Sequence, residues 1–596
     1  MIMSSRYLIL ACVAIASPWA AAMQRPADGL DQVPMLADPI LVGPPVRIDT
    51  GRGTSACNET SVASSEATPM QLLSAWNDYR AGAPRIGVGL SRDGGLTWTD
   101  GLLRPPLAHQ SSIEADPMTA SDDRTGTLWA GGISFGSNGG VFVARKDPGS
   151  QVFEPVVMAY TGAGADKCLM AAGPDPLAPE THTRVYVSFN QGLIASGDMG
   201  ATWSAPLALD MGIGFVPQVG PSGTLYIAYW DTQDRIELIR SLDGGSTVEP
   251  PVLIAQRLDV WGLDGTRTPG NFRVGSFPAL AVDPVSEALY CVYADSTVLA
   301  GAEFDVDLYF TRSLDRGLTW SQPEVILAGA IPFGDQFFPW LDVDLSGRVH
   351  IVYYDTGATR QSDDALQGLL DARYGLSVDG GDAWLGARLT NEPFSSELDG
   401  FGGIFIGDYL GLACAGGRTT PVYMSTELGN ADLFARSVNL GAATAYCLGY
   451  TCPCGNVDST SGCGNSGVDG NFETGARLQA TGSNDLAHDD LQLDLTGLRP
   501  LAFGLLLASR IAISPPFGDG RRCVGGQVFR YPIRRADGAG VLGYGPTEVI
   551  ALSQALPGNG AAQIASTWHY QGWYRDSGGP CDAGFNLTNG LRVTWR

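Results

Sequence analysis

Residues 91–98 read S-R-D-G-G-L-T-W, and the phrase returns four times: S-G-D-M-G-A-T-W at 196–203, S-L-D-G-G-S-T-V at 241–248, S-L-D-R-G-L-T-W at 313–320 and S-V-D-G-G-D-A-W at 377–384. The shared pattern is S-x-D-x-G-x-T-W. Its Asp carboxylate can accept backbone N–H groups across a tight turn. Its Gly can take the positive φ at which the chain reverses. Ser and Thr hydroxyls can tie the ends of the turn, and the Trp ring can fill the space beneath it. Five copies in register indicate a repeat architecture.

Working outward, each repeat is preceded by two short apolar or alternating stretches that read as paired strands. They are 72–76 with 85–89, 128–132 with 141–144, 185–189 with 193–195, 225–230 with 236–239, 289–293 with 307–311, 349–354 with 372–376, and 422–425 with 432–435. That makes seven units. A degenerate repeat is read at Asp147 and Gly149, and another at Glu427 and Gly429. The last unit has no evident fourth strand, and 40–48 resembles the fourth strands elsewhere, such as 323–327. Residues 46–48 are therefore expected to pair with 431–437 and close the ring, which removes exposed sheet edges.

The phrase resembles the Asp-box, or bacterial neuraminidase repeat, of the sialidase superfamily, over most of residues 40–440. The resemblance implies an all-β, seven-bladed sialidase-like β-propeller, with six blades as the alternative. It places the box between the third and fourth strands of a blade. The box residues Asp93, Trp98, Asp198, Trp203, Asp243, Asp315, Trp320, Asp379 and Trp384 are then structural, on the face away from any active site.

Ligands of such a propeller are expected at the mouth lined by first-strand entrances and second-to-third-strand turns. The entrances carry Asn58 and Glu59, Glu114 and Asp116, Asp166 and Lys167, Arg273, Asp335 and Gln336, Asp408 and Tyr409. The turns add Asn77, Asp78, Arg80, Asp231, Asp295, Asp355 and Arg360. Glu59, Asp116, Asp166, Asp335 and Asp408 are the expected ligand-binding set. Such a ring suits Ca²⁺ or the hydroxyls of a polyol. The bland alternative is turn-forming Asp residues that solvate loop ends.

The resemblance also implies a catalytic set, and the chain departs from it. Cys57-Asn58-Glu59-Thr60-Ser61-Val62 stands where family members carry an aromatic-Arg-Ile-Pro stretch, so the Arg is missing. Arg80 matches a family Arg, but Ala81-Gly82-Ala83-Pro84 after it lacks the acid–base Asp. Of the remaining arginines of the clamp, Arg273 alone falls at an entrance. A bidentate Arg clamp is the usual grip on a planar carboxylate, and here it is broken. Catalytic candidates reduce to Glu59, Asp78, Arg80, Arg273 and Tyr409. The expected function is binding of an extracellular ligand, glycan or glycoprotein. The alternatives are a sialidase-type glycoside hydrolase and a surface or matrix adhesion protein.

Composition bounds these readings. The 596 residues carry a formal net charge of −25, with 78 Gly and 37 Pro. Lys146 and Lys167 are the only lysines, and there is no basic run for nucleic acid. Arg6, an apolar run over 7–16 and Ala20-Ala21-Ala22 read as a signal peptide over 1–22, hence a secreted, extracellular or periplasmic protein. A buried first strand or acylation at Cys12 are the alternatives.

The propeller is assigned to 23–445. From 446 the repeat stops and Cys447, Cys452, Cys454, Cys463, Cys523 and Cys581 appear. In an exported chain these make up to three disulfides, with fifteen possible pairings. A zinc site on Cys447, Cys452, Cys454 and Cys463 is the rival. Apolar stretches at 491–495, 502–507 and 591–595 suggest a small β-sandwich-like domain. Cys57, Cys168, Cys291 and Cys414 lie near propeller strands. Asn58-Glu59-Thr60 and Asn586-Leu587-Thr588 fit glycosylation acceptors.

Overall fold

The computed structural model describes residues 40–595 except 52, 54, 210–211, 259–271, 276, 299–303, 328–334, 346, 357–368, 440–442, 459, 468–473, 482–483, 485, 487–490, 546–547 and 565. The expected signal peptide over 1–22 lies outside these residues.

Between residues 41 and 439 the chain forms seven successive antiparallel sheets. The first runs Cys57–Ser64, Leu72–Asp78, Arg85–Ser91, Thr99–Leu103 in spatial as in chain order. The next five repeat this meander. The third keeps only a bridge from Leu193 to Leu207 as its fourth strand. Four second strands, Leu72–Asp78, Leu128–Ser134, Leu225–Asp231 and Val349–Asp355, are buried along their whole length. Their apolar runs suit strands covered on both faces.

The first strands of the seven sheets are Cys57–Ser64, Glu114–Ser121, Leu169–Pro174, Gly212–Val219, Ala279–Val282, Gln336–Val343 and Gly411–Ala415. Each packs against the next, and the last packs against Cys57–Ser64, so they form a closed, propeller-like ring. The seventh sheet takes its outer strand from the other end of the chain. Val46 pairs with Ala435 and Arg47 with Phe434, and the Ile48 amide donates to the Leu433 carbonyl at 3.0 Å. This is the pairing expected from residues 46–48.

The S-x-D-x-G-x-T-W repeats join third to fourth strands, with the Ser–Asp–Gly contacts common to all five. In the first, the Ser91 hydroxyl donates to Asp93 at 2.8 Å and accepts from the Gly95 amide at 2.9 Å. The Thr97 amide and hydroxyl both donate to the Asp93 carboxylate, and the Trp98 ring N–H donates to the Gly95 carbonyl at 3.1 Å. The boxes at Asp198, Asp243, Asp315 and Asp379 repeat the Ser–Asp contact at 2.7–2.9 Å. Hydrogen bonds from the hydroxyl and amide of Thr319 hold the Asp315 carboxyl down at about 2. Asp315→Ala strands two of these donors in a partly exposed turn. It is expected to cost ~1–2 kcal/mol, read as a lower denaturation midpoint with no change in ligand binding.

The degenerate repeat at Asp147 and Gly149 does join third and fourth strands, Gly140–Lys146 and Val156–Thr161. Glu427 and Gly429 do not form one. They lie between Arg418–Ser425 and Asp432–Ala435, the second and third strands of the seventh sheet. The outer strand there arrives from the far end of the chain, so no local hairpin needs a box.

Beyond the ring, a six-stranded sheet built on Thr567–Arg575 and Phe585–Thr594 and a three-stranded sheet Arg477–Thr481, Gln492–Thr496, Leu542–Tyr544 share one apolar core. Leu493, Leu495, Trp568, Val593 and Trp595 are buried in it. Three disulfides lie beside it: Cys447–Cys523, Cys452–Cys463 and Cys454–Cys581. The four cysteines of the rival zinc set are thus divided among three bridges. Cys57, Cys168, Cys291 and Cys414 form no disulfide among the described residues. No helix of the described residues is long and apolar enough to cross a membrane.

Candidate functional site

Near their starts the first strands break register. The pairing skips between Asn58 and Ser61, Ala115 and Met118, Ile213 and Val216, and Phe337 and Trp340. At each break one residue has left-handed backbone: Glu59 (φ 53°), Asp116 (φ 57°), Gly214 (φ 67°) and Phe338 (φ 50°). Lys167 (φ 53°) takes the same conformation just before Leu169–Pro174. Such bulges re-aim a side chain. A non-glycine residue there is strained by ~1–2 kcal/mol, and three of these four strained positions, Glu59, Asp116 and Lys167, hold charged groups.

Six entrance residues meet through these bulges. The Asp408 carboxylate accepts from Arg273 Nε at 2.9 Å and Nη2 at 2.5 Å, and from Lys167 Nζ. The Lys167 amide donates to Asp116 Oδ2 at 2.6 Å. Glu59 Oε2 accepts from Asn77 Nδ2 at 2.7 Å. The Tyr409 hydroxyl donates to the Pro117 carbonyl at 3.3 Å. Glu59, Asp116 and Asp408 are buried, whereas the Arg273 side chain is 47% exposed. Arg273 is therefore the solvent-facing member of the cluster.

Aromatic rings surround it. Lys167 Nζ lies 4.9 Å from the centre of Phe277 and 5.4 Å from that of Tyr409. The Arg273 guanidinium sits 4.8 Å over Phe405, which packs on Phe401, which meets Tyr79 edge-on at 4.8 Å. The buried Asp399 carboxylate shapes this turn by accepting the amides of Phe401, Gly403 and Phe405 at 2.6–2.9 Å. The Ile404 carbonyl in turn holds the Arg273 amide at 3.2 Å.

Burial pushes the Glu59 carboxyl up to about 8; Lys167 and Arg273 oppose this, and Asp408 and Asp116 add to it. Burial also raises Asp116. For Asp408 burial acts upward too, but Lys167 and Arg273 outweigh it and hold the group below the usual range. At neutral pH the cluster holds a protonated Glu59 beside an ionised Asp408 bound by two cations. Two carboxyl groups with protonation pushed apart are a candidate acid and carboxylate pair.

A pH effect follows. Folded Glu59 holds its proton up to about pH 8, whereas unfolded Glu loses it near 4.5. Folding stability therefore falls as pH rises through that window and is flat above it, by up to a few kcal/mol. Asp342, on the first strand Gln336–Val343, is lifted by burial to about 7 and acts in the same direction. Denaturant titrations of the wild type and Glu59→Gln across pH 5–9 should differ in slope by the Glu59 share. Parallel curves would contradict its buried, protonated state.

The other expected residues are placed elsewhere or tied into turns. Asp166 is exposed and accepts the Lys167 amide at 3.1 Å, at the edge of the cluster. Asp335 accepts the Val306 amide at 3.1 Å, and Asp295 accepts that of Leu258 at 2.8 Å. Asp78 is fully buried and binds the Arg80 guanidinium, which also reaches Asp100 at 2.5 Å. Arg80 and Arg273 thus grip separate carboxylates. Glu114 pairs with Arg104, Asp231 with Arg235 and Asp355 with Arg373. Gln336 is buried, and Arg360 lies outside the described residues. Asn58 and Asn586 are buried and hydrogen-bonded, so the folded chain offers neither to a glycosyltransferase.

Of the expected carboxylates, Glu59 and Asp408 do not suit Ca²⁺. Asp408 is already neutralised by Lys167 and Arg273, and Glu59 carries a proton. Calcium needs several free, ionised oxygens. Sequence reading missed Tyr79, Phe277, Phe401 and Phe405 as site residues. A Phe-rich turn over 401–405 was the one available signal. Beyond Trp340, which packs 6.4 Å from Tyr409, a cavity of about 510 Å³ continues along the ring and is lined by all seven first strands.

No protein-family model matches the chain. No curated protein matches it in sequence. Among solved structures it is similar to an α-L-arabinanase of Penicillium chrysogenum complexed with arabinobiose (14% identity, 68% of this chain, 99% of that one, TM-score 0.34). It is also similar to the intramolecular trans-sialidase of Ruminococcus gnavus (13%, 67% and 97%, 0.35) and the Aleuria aurantia lectin with α-methyl-L-fucoside (15%, 56% and 97%, 0.35). These likenesses are slight, and neither the fold nor the site rests on them.

Proposed function

We propose that the chain is an exported, seven-bladed propeller of sialidase-like repeat type that binds an extracellular carbohydrate at the mouth around Arg273. The carrying observation is the convergence of Glu59, Asp116, Lys167, Arg273, Asp408 and Tyr409, three of them on left-handed backbone, beside a wall of aromatic rings. Ring faces with a few placed polar groups are the usual grip on a sugar. Three disulfides fit an oxidising compartment. The 446–596 module is read as a β-sandwich-like accessory domain. The test is a glycan panel presented to the whole secreted protein, scoring retention and cleavage separately. Retention without cleavage supports binding, and no retention of any glycan refutes it.

A second reading has its own observation. Glu59, protonated beside the ionised Asp408, is arranged as a general acid with a carboxylate partner. If the panel yields cleavage, Glu59→Gln should lower the rate of bond breaking by about 10²-fold or more while retention survives. An unchanged rate would remove Glu59 from the chemistry. An adhesive role for the 446–596 module predicts that its deletion abolishes surface retention.

A further inference from the structure

The C-terminal module has a pocket of about 410 Å³ lined by Ser509, Arg510, Gln527, Phe529, Asn559 and Gln563 with Ile511. Among the described residues, arginines such as Arg80, Arg235, Arg348 and Arg534 are bound by carboxylates. Arg510 is not. Its guanidinium is held 4.9 Å over the Trp568 ring, and no carboxylate lines the pocket. Stacking fixes the plane of the fork and leaves its N–H edges unused. Among the described residues the side chains of Arg510, Gln527, Asn559 and Gln563 have no hydrogen-bond partner.

The floor is built to stay. Phe529 is buried and packs on Trp568 at 5.6 Å. Gly560, beside Asn559, lets it lie there, since a Cβ at that position would come within 2.9 Å of the Phe529 ring. The pocket therefore combines one oriented, unpaired guanidinium, three side-chain amides and an aromatic floor.

We infer that this pocket is a second binding site, taking one residue of an acidic saccharide. The planar carboxylate of a uronic acid matches the Arg510 fork in a bidentate pair. The amides of Gln527, Asn559 and Gln563 each offer a donor and an acceptor, which vicinal hydroxyls require. A neutral sugar would leave the guanidinium unmatched, and the absence of lining carboxylates admits an anion. The site shares no residue with the mouth around Arg273.

The test passes the whole protein over immobilised polygalacturonate, hyaluronan and alginate, with dextran as the uncharged control, at about 150 mM salt so that diffuse repulsion between the acidic protein and the polyanions is screened. Retention on at least one acidic polymer and none on dextran is expected. Arg510→Ala should weaken it about tenfold or more, and Asn559→Ala and Gln563→Ala severalfold, with melting temperatures unchanged. Arg273→Ala should leave it intact. Absence of retention on all three acidic polymers, equal retention on dextran, or wild-type retention by Arg510→Ala overturns the inference. So does loss with Arg273→Ala alone, which would assign the binding to the mouth.

Discussion

Removal of residues 40–48 is expected to lower the melting temperature by ten degrees or more and to make the protein aggregate. These residues supply the outer strand of the seventh sheet. They carry the Val46–Ala435 and Arg47–Phe434 pairs, the Gly43 amide bond to Ser437, and an ion pair between Arg47 and Asp432 at 2.9 Å. They also bury Ile48 completely. Loss of that side chain alone is worth about 2–4 kcal/mol, and the bared edge of Asp432–Ala435 invites strand pairing between molecules. Ile48→Ala should reproduce the side-chain share without the aggregation. A truncated chain that melts with the wild type would refute closure by this strand.

The second large effect concerns the module after residue 446. Cys454 and Cys581 are 127 residues apart in sequence, whereas Cys452 and Cys463 are 11 apart. Chain entropy alone puts these bridges at about 5 and about 3 kcal/mol. Cys454→Ser with Cys581→Ser should therefore destabilise the module more than Cys452→Ser with Cys463→Ser. Calorimetry should show an early transition split from that of the ring. A single unchanged transition would mean that the bridge constrains nothing in the unfolded chain.

The ring was legible because the S-x-D-x-G-x-T-W repeat carries its own turn: Ser91, Asp93, Gly95 and Thr97 bond within eight residues, without help from the rest of the chain. Glu427 and Gly429 misled because Gly and acid also serve an ordinary hairpin. Closure was legible in the missing outer strand of the last unit. The C-terminal pairings were not, because cysteine spacing holds no information about a core formed by strands a hundred residues apart.

At the mouth, the entrance acids were legible and their roles were not. Asp335 and Asp408 both stand at first-strand entrances, yet Asp335 turns to the Val306 amide and Asp408 to two cations. The difference lies in bulges that no local pattern marks: Glu59, Asp116 and Lys167 share a left-handed backbone but no residue type. Phe401 and Phe405 reach the site only because Asp399 folds the intervening turn.

The central claim is that the charged cluster serves a ligand. Arg273 is its half-exposed member, and Lys167 still binds the buried Asp408 carboxylate when the Arg273 side chain is removed. The deciding measurement is the affinity of a glycan retained by the wild-type protein for Arg273→Ala, by titration calorimetry, beside the two melting temperatures. A loss of about tenfold or more with melting unchanged is the predicted result. Equal affinity in the two proteins would contradict it and return the cluster to a purely structural role.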